Sequence, residues 1–201
     1  RVEGKVDRVD CYRGSDRDYI RVIDYKTGGK KFDLSEVVQG LNMQMLLYLF
    51  TLGENGVADL PSPGEAGVLY MPGSGHFTRD RRDASAESIA EDQRKSYCMS
   101  GMVLDNPEVI EAMELGTAGR YIPVSLKKDG SYTAASSVIT EEQLGLLRRQ
   151  IAGNVVRMAE LLHEGKIGAV PANRNGRLPC EYCDYRSVCG REAEWPDRPV
   201  V

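Results

Sequence analysis

Alternating apolar and polar residues at the start of the chain predict a pair of β-strands. Residues 2–12 and 18–26 both alternate in this way, and the turn-rich segment RGSDRD joins them, as is typical of a β-hairpin. A turn centred between Ser15 and Asp16 makes paired residue numbers sum to 31 and places Asp10 opposite Arg21. A slip of one residue would mix the two faces, so we expect this register.

Helix-capping and turn signals divide the rest of the chain. We predict a first helix over about 34–52, a short strand over 67–71, a helical insertion over about 80–118, a hairpin around 128–130 and a last long helix over about 141–164. The first helix is predicted to end at Gly53, and the last to begin after the capping box Thr140-x-x-Gln143. This order predicts an α/β core over residues 1–170 and a small cysteine-bearing tail over 171–201.

The composition is that of an ordinary globular protein. Of the 201 residues, 41% are hydrophobic and 28% are charged, and the net charge is -4, which argues against a polyanion binder held by bulk charge alone. A local basic groove is compatible with the segment TRDRR at 78–82 and with arginines near the C-terminus, although such runs are also typical of solvated faces. Those arginines are Arg174, Arg177, Arg186, Arg191 and Arg198.

The chain contains no stretch that is expected to enter a membrane. Its longest apolar run, MLLYLF at 45–50, is too short to span a bilayer, and no charged-then-apolar leader opens the sequence. We therefore expect a soluble, cytoplasmic protein with no membrane partner. Because the first residue is Arg1 rather than Met, we also expect the sequence to be part of a longer polypeptide.

The five cysteines form an odd, unevenly spaced set, which fits a disulfide framework poorly. Cys180, Cys183 and Cys189 cluster in the segment CEYCDYRSVC. Cys11 lies in the first predicted strand and Cys98 near a helix end. We expect these last two to be buried as small apolar side chains rather than to act as ligands.

The predicted hairpin brings two acids and an amine together. Its register puts Asp7 opposite Asp24, and Lys26 lies on the same face. Two facing carboxylates destabilise a sheet unless one keeps its proton or a cation lies between them. Hard oxygen ligands suit Mg²⁺ or Mn²⁺, so we predict an ion held by Asp7, Asp24 and the backbone carbonyl of Tyr25.

Lys26 would then orient a water, help to deprotonate it and stabilise charge that grows on a phosphate. The alternative interpretation is that these residues are only a solvated polar strand end.

A second polar pair, Gln44 and Tyr48, shares one face of an otherwise apolar helix. Such groups need partners: a nucleic-acid backbone or the water network of the site would serve, and bonding only to each other or to nearby backbone is the alternative.

Together these segments resemble the RecB-type branch of the PD-(D/E)XK nuclease superfamily, and most closely the nuclease domain of AddB-type subunits of bacterial helicase-nucleases. GKVDRVD resembles the first acidic motif of that family, VIDYKTG its D-x-K motif and QMLLY its Q-x-x-x-Y motif. The resemblance covers most of the chain in matching order. It implies a restriction-endonuclease-like central mixed sheet flanked by helices, metal ligands at Asp7 and Asp24, a catalytic Lys26, and a role near DNA for Gln44 and Tyr48.

The segment CEYCDYRSVC resembles the carboxy-terminal cysteines that bind a 4Fe–4S cluster in AddB-type and related CRISPR-associated nucleases, which implies Cys180, Cys183 and Cys189 as ligands. In that family the fourth cysteine, and often a metal-binding histidine, lie upstream of the first acid, at positions absent from this sequence. Three cysteines cannot complete a four-cysteine site. A Cys₃His zinc site that uses His163 or His76 is the competing interpretation.

These observations lead to one functional expectation. We expect an exonuclease-like deoxyribonuclease that depends on Mg²⁺ or Mn²⁺ and acts in DNA repair or recombination. Its partners would be single-stranded DNA ends and a helicase-nuclease partner subunit, without base readout, because no helix with major-groove side chains stands out. The alternative is a catalytically inactive, nuclease-like scaffold that binds DNA or a partner.

Overall fold

The computed structural model of the protein contains helices and a central sheet. The described residues are 3–27, 31–74, 84–117, 119–166, 168–174, 176–192 and 196–200. The strands are β1 (Arg8–Arg13), β2 (Asp18–Lys26), β3 (Gly64–Pro72), β4 (Ser100–Leu104), β5 (Val138–Ile139), β6 (Ala172–Arg174) and β7 (Arg198–Val200). The helices are α1 (Leu34–Val38), α2 (Gln44–Asn55), α3 (Ala86–Ser96), α4 (Pro107–Met113), α5 (Glu141–His163) and α6 (Arg186–Cys189), and a 3₁₀ turn covers Pro179–Tyr182.

In the described part of the chain, strands β1 to β5 form one mixed sheet in sequence order. The β1–β2 and β3–β4 pairs are antiparallel, whereas the β2–β3 and β4–β5 pairs are parallel. Strands β2 and β3 bury residues on both faces, as expected of inner strands. Helix α2 packs against these two strands and α4 against β4, which confirms the predicted α/β fold with a central mixed sheet flanked by helices.

The hydrophobic core surrounds the inner strands. One buried cluster joins Ile23, Leu69, Met99, Val103, Ile110, Ile122 and Val124. A second joins Tyr19, Ala66, Leu104 and Val109. Each fully buried aliphatic side chain contributes about 1.5–3 kcal/mol relative to its exposed state. Tyr19 and Ile23 lie on one face of β2, and Ile20 and Val22 on the other face are also fully buried. The strand is therefore packed on both faces and gives a rigid base to the polar residues at its C-terminal end.

The single helix predicted over about 34–52 is wrong, because the structure divides it into α1 and α2. Gly40 follows α1 with a φ of 86°, a left-handed conformation that glycine adopts without strain. The N–H of Gly40 donates to the carbonyl of Val37 (3.0 Å), and that of Leu41 to Glu36 (2.8 Å). These two bonds form the Schellman motif that ends helices. The predicted stop at Gly53 is also wrong, since α2 continues to Asn55.

The helical insertion predicted over about 80–118 is wrong in one respect. Helices α3 and α4 do lie in this range, but β4 lies between them and forms an inner strand of the sheet. Met102, Val103 and Leu104 are buried there, because β4 pairs with both β3 and β5. Residues 80–83 and 118 are outside the described part of the chain.

The hairpin predicted around 128–130 is a tight turn without regular strands. The N–H of Lys127 donates to the carbonyl of Ser131 (2.8 Å), and one isolated bridge joins Leu126 to Tyr132.

The last helix agrees better with its prediction, because α5 begins at Glu141. Its capping box is present. The backbone N–H of Gln143 donates to Thr140 Oγ1 (3.2 Å), and the backbone N–H of Thr140 donates to Gln143 Oε1 (3.0 Å).

The chain divides into two compact units. The first comprises Arg1–Asp33 and Met43–Arg148, and the second comprises Leu34–Asn42 and Arg149–Val201. The predicted division into a core over 1–170 and a tail over 171–201 stays a prediction. None of the helices within the described ranges is both long and apolar enough to cross a bilayer.

Two arginines of the predicted basic groove stabilise the second unit. Arg174 forms an ion pair with the buried carboxylate of Glu36 (2.5 Å), and Arg198 donates to the carbonyl of Gln39 (2.6 Å). Both contacts connect the C-terminal strands β6 and β7 to the segment that contains α1. The segment 78–82 lies outside the described residues, so the basic groove stays a prediction.

Candidate active site

The β1–β2 hairpin has the predicted register. Paired residues run from Arg8 opposite Ile23 to Arg13 opposite Asp18, and Asp10 lies opposite Arg21. The first strand is shorter than predicted: it begins at Arg8 rather than near residue 2. The ladder therefore stops one residue before the predicted pair of Asp7 and Asp24, which lie immediately beyond it.

Asp7 is exposed and lies next to the end of β2. The backbone N–H of Tyr25 donates to Asp7 Oδ2 over 3.3 Å, a long hydrogen bond. The charge of Asp7 also contributes to the raised pKa of Lys26. Both observations place Asp7 beside the stretch from Asp24 to Lys26, even though the two strands no longer pair there.

Asp24 and Lys26 form an ion pair on one face of β2. Their side chains are only 13% and 28% exposed, so water screens the pair less than it would at the surface. The hydrogen bond with Asp24 raises the pKa of Lys26 despite the opposing effect of burial, and Tyr70 and Asp7 add to the rise. Lys26 is therefore an ammonium ion at neutral pH.

One carboxylate oxygen of Asp24 is buried beside the lysine. Asp24 Oδ2 is inaccessible to solvent, and the Lys26 ammonium lies against it as its ion-pair partner. This pairing offsets part of the cost of burying the charge. Asp24, Asp7 and the backbone carbonyl of Tyr25 are hard oxygen donors, which is the chemistry that suits Mg²⁺ or Mn²⁺.

Gln44 and Tyr48 lie about one turn apart on α2. Gln44 is the first residue of this helix and is exposed, and its Nε2 donates to the hydroxyl of Tyr48 (2.8 Å). The Tyr48 ring packs against Gly4, where any side chain would collide with it. The structure shows the pair bonded to each other and places Tyr48 close to the segment that leads to Asp7. A contact of the pair with DNA or with the water network of the site stays a prediction.

The three clustered cysteines lie in the C-terminal part of the second unit. Cys180 is half-buried, whereas Cys183 and Cys189 are exposed, and all three are free thiols. Within the described ranges, no three side chains of His, Cys, Asp or Glu are gathered as a metal site, including these cysteines with His163. An iron–sulfur cluster or a zinc site at these cysteines stays a prediction. His76 lies outside the described residues.

The expectation that Cys11 and Cys98 are both buried is wrong for Cys11. Cys98 is partly buried, and this burial raises the pKa of its thiol, with a smaller contribution from Glu114. Cys11 is exposed and lies on β1, which is an edge strand of the sheet among the described residues.

Several residues near the site were not found from the sequence. The Lys26 ammonium lies over the ring of Tyr70, with its Nζ 5.2 Å from the ring centroid. The same ring packs against Phe32. On the hairpin, Arg8 donates to the hydroxyl of Tyr25 (3.4 Å). The segment GVLYM gave a signal for a strand, but the pairing of Tyr70 with Asp24 depends on the β2–β3 register, which no local pattern contains.

The mixed sheet and the acid-acid-lysine group at the end of its hairpin are compatible with one class of protein, the nucleases. The sequence pattern of the PD-(D/E)XK nuclease superfamily matches residues 1–190. The chain belongs to this superfamily, as the resemblance of its motifs predicted.

Curated relatives resemble the chain over nearly its full length. An ATP-dependent helicase/deoxyribonuclease subunit from Clostridium perfringens strain ATCC 13124 is 35% identical to it over 203 residues, which is 98% of the chain and 17% of the relative. The proteins of the same name from Clostridium acetobutylicum and Thermoanaerobacter sp. X514 are 36% and 31% identical, over 94% and 96% of the chain. The chain thus spans about one sixth of the length of these relatives.

Proposed function

We propose that the chain is a metal-dependent deoxyribonuclease that hydrolyses phosphodiester bonds by attack of water. The observation that supports this most directly is the grouping of Asp7, Asp24 and Lys26 at one end of the β1–β2 hairpin in a member of a nuclease superfamily. A solvated polar strand end would not require Asp24 Oδ2 to be inaccessible to solvent.

Each residue of the site has a separate task in this proposal. Asp7, Asp24 and the carbonyl of Tyr25 would hold one Mg²⁺ or Mn²⁺. When bound, such an ion supplies positive charge that polarises the phosphate and makes water easier to deprotonate. The Lys26 ammonium donates hydrogen bonds to the water and to the phosphate oxygens, so it stabilises the negative charge that grows in the transition state.

The substrate and the partner follow from the kind of site and from the relatives. The relatives are named as subunits of ATP-dependent helicase/deoxyribonucleases, which supports action on DNA within a helicase-nuclease of DNA repair or recombination. We propose exonuclease-like cleavage of single-stranded ends that a partner subunit delivers. Gln44 and Tyr48 would contact the DNA backbone or the water network from the first turn of α2.

A cleavage assay on labelled single-stranded DNA tests the catalytic proposal. We expect cleavage by the wild type in Mg²⁺ or Mn²⁺, no cleavage in EDTA, and none by the Asp24→Ala and Lys26→Ala variants while their circular dichroism stays native. Lys95→Ala is the matched control, because Lys95 is an exposed lysine that pairs with an aspartate, Asp92, on α3; it should cut like the wild type.

Equal cleavage by the wild type and both site variants would contradict the proposal, since it would come from a contaminant. A folded wild type that binds the ion without cutting DNA would instead favour the inactive scaffold. The 4Fe–4S cluster on Cys180, Cys183 and Cys189 remains a proposal that rests on the sequence resemblance, with a fourth ligand from outside this chain. Iron content and the visible absorption spectrum of the anaerobically purified protein test it directly.

A further inference from the structure

The Lys26 ammonium lies between a carboxylate and an aromatic ring. It pairs with Asp24 and lies over the ring of Tyr70, 5.2 Å from the ring centroid. This distance is within the range in which a cation is attracted to the negative face of a ring. The contact is not a consequence of sequence proximity, because Tyr70 belongs to β3 and lies 44 residues further along the chain (70 minus 26).

The sheet holds the Tyr70 ring in place. Tyr70 is only 5% exposed, and the strand registers place it beside Asp24 of β2 on one side and Ser100 of β4 on the other. Phe32 packs on the ring, with the two centroids 6.3 Å apart. Phe32 is itself tied to β4, because its backbone N–H donates to Ser100 Oγ (2.7 Å). The ring is therefore a fixed surface, whereas the lysine side chain has four rotatable bonds.

The two partners of the ammonium differ in what a metal ion does to them. A divalent ion on Asp24 would take up much of the negative charge that now attracts Lys26, so the ion pair weakens when the site is loaded. The face of the Tyr70 ring keeps its attraction, since it provides no metal ligand. The ring is thus the contact that still holds the ammonium when the site is ready to react.

We propose that Tyr70 is a positioning residue, whose ring holds the Lys26 ammonium in the orientation in which it meets the phosphate. This inference rests on the proposed nuclease function. It assigns to an inner strand of the sheet a part in the reaction that none of the sequence motifs covers. The hydroxyl group is not required for it, so a phenylalanine should replace Tyr70 and an aliphatic residue should not.

Nuclear magnetic resonance of the lysine ε-methylene groups tests the contact without any nuclease assay. We expect the Lys26 signal, assigned by its loss in Lys26→Arg, to be shifted upfield by the ring relative to that of Lys95. The shift should persist in Tyr70→Phe, disappear in Tyr70→Leu, and survive the addition of Mg²⁺. A Lys26 signal that coincides with that of Lys95 in the folded wild type would overturn the inference without any variant.

Steady-state kinetics then test the role in the reaction. Tyr70→Leu should lower kcat about three- to fivefold, as expected from the loss of one cation–π contact at a partly exposed site, with KM unchanged, and Tyr70→Phe should keep the wild-type kcat. Tyr19→Leu is the matched control, because Tyr19 is a buried tyrosine whose ring also lies 5.0 Å from a cation, that of Arg17. It should lower the unfolding midpoint and leave kcat intact.

The outcomes separate this inference from the proposed function. An inactive wild type with a shifted Lys26 signal would overturn the nuclease proposal and with it the role of Tyr70 in the reaction, while the contact itself would stand. An active wild type in which Tyr70→Phe loses as much kcat as Tyr70→Leu would overturn the positioning role alone, since the hydroxyl would then be the group that matters.

Discussion

Asp10 pairs with Arg8 on its own strand and with Arg21 on the neighbouring strand of the hairpin, and its removal should destabilise the fold. Arg8 donates to both carboxylate oxygens of Asp10 at 2.6 and 3.1 Å, and Arg21 donates twice to Oδ2 at 3.0 and 2.8 Å. The Arg21 side chain is only 17% exposed. Its Nη1 atom is buried without a hydrogen bond from the described residues, so Asp10 supplies much of what compensates this charge.

The expected loss in Asp10→Ala is about 2 kcal/mol of unfolding free energy at neutral pH. Exposed ion pairs contribute roughly 0–1 kcal/mol, whereas leaving one charge of a buried pair without its partner costs about 3–5 kcal/mol. The Asp10–Arg21 pair lies between these limits, because both side chains are largely but not fully buried. Since Arg8 follows Asp7 directly, the variant should also loosen the start of β1.

Urea denaturation followed by far-ultraviolet circular dichroism measures this loss. Asp59→Ala is the control: Asp59 also pairs with an arginine, Arg13 (2.5 Å), but both side chains are mostly exposed, so its midpoint should match that of the wild type. Equal midpoints for Asp10→Ala and Asp59→Ala would refute the reasoning.

The loss of unfolding free energy in Asp10→Ala should also depend on pH. Burial alone would raise the pKa of Asp10, but the hydrogen bonds from Arg8 and Arg21 outweigh it and lower this pKa below its ordinary value. A carboxylate with a lowered pKa stabilises the folded state above its unfolded pKa of about 4, and this contribution disappears as the pH falls through the folded value. The difference between wild type and Asp10→Ala should therefore be full at neutral pH and shrink below about pH 4. A difference that stays constant into acid would contradict this explanation.

Three further predictions concern other parts of the chain. Glu114 accepts hydrogen bonds from the backbone N–H groups of residues 120–122 at 2.8–3.0 Å, so Glu114→Gln should lose about 2 kcal/mol in urea denaturation, and an unchanged midpoint would count against this. Thr140→Ala removes the N-cap of α5 and should lose about 1 kcal/mol in the same assay; no loss would mean that the cap is dispensable. Iodoacetamide should alkylate exposed Cys11 faster than Cys98, whose thiol pKa is raised by burial, and peptide mass spectrometry showing equal rates would disprove the assigned burial.

The hairpin shows how much of the site a local pattern can predict. Its register follows from side chains that face each other across two strands joined by a short turn, so the alternation near Asp10 and Arg21 was sufficient. The same pattern overestimated the length of β1, because alternation continues to residue 2 although pairing stops at Arg8. The prediction that Asp7 faces Asp24 relied on that extra length; the structure pairs neither residue across this ladder, although Asp7 accepts a hydrogen bond from the backbone N–H of Tyr25.

Contacts between distant segments explain what the sequence did not show. β4 has five residues in a polar neighbourhood and is recognisable only through its pairing with β3 and β5. The same holds for Tyr70, whose place beside Asp24 depends on a parallel pairing across more than 40 residues of sequence. The break between α1 and α2 has a local cause in the left-handed Gly40, but the continuous apolar pattern around it favoured a single helix.

The location of a bound metal ion tests the central claim most directly. A crystal of the chain soaked in Mn²⁺ should show an anomalous peak in contact with the carboxylates of Asp7 and Asp24, and the peak should be absent from crystals of Asp24→Ala prepared in the same way. Mn²⁺ bound elsewhere while these two carboxylates point away from each other would contradict the account.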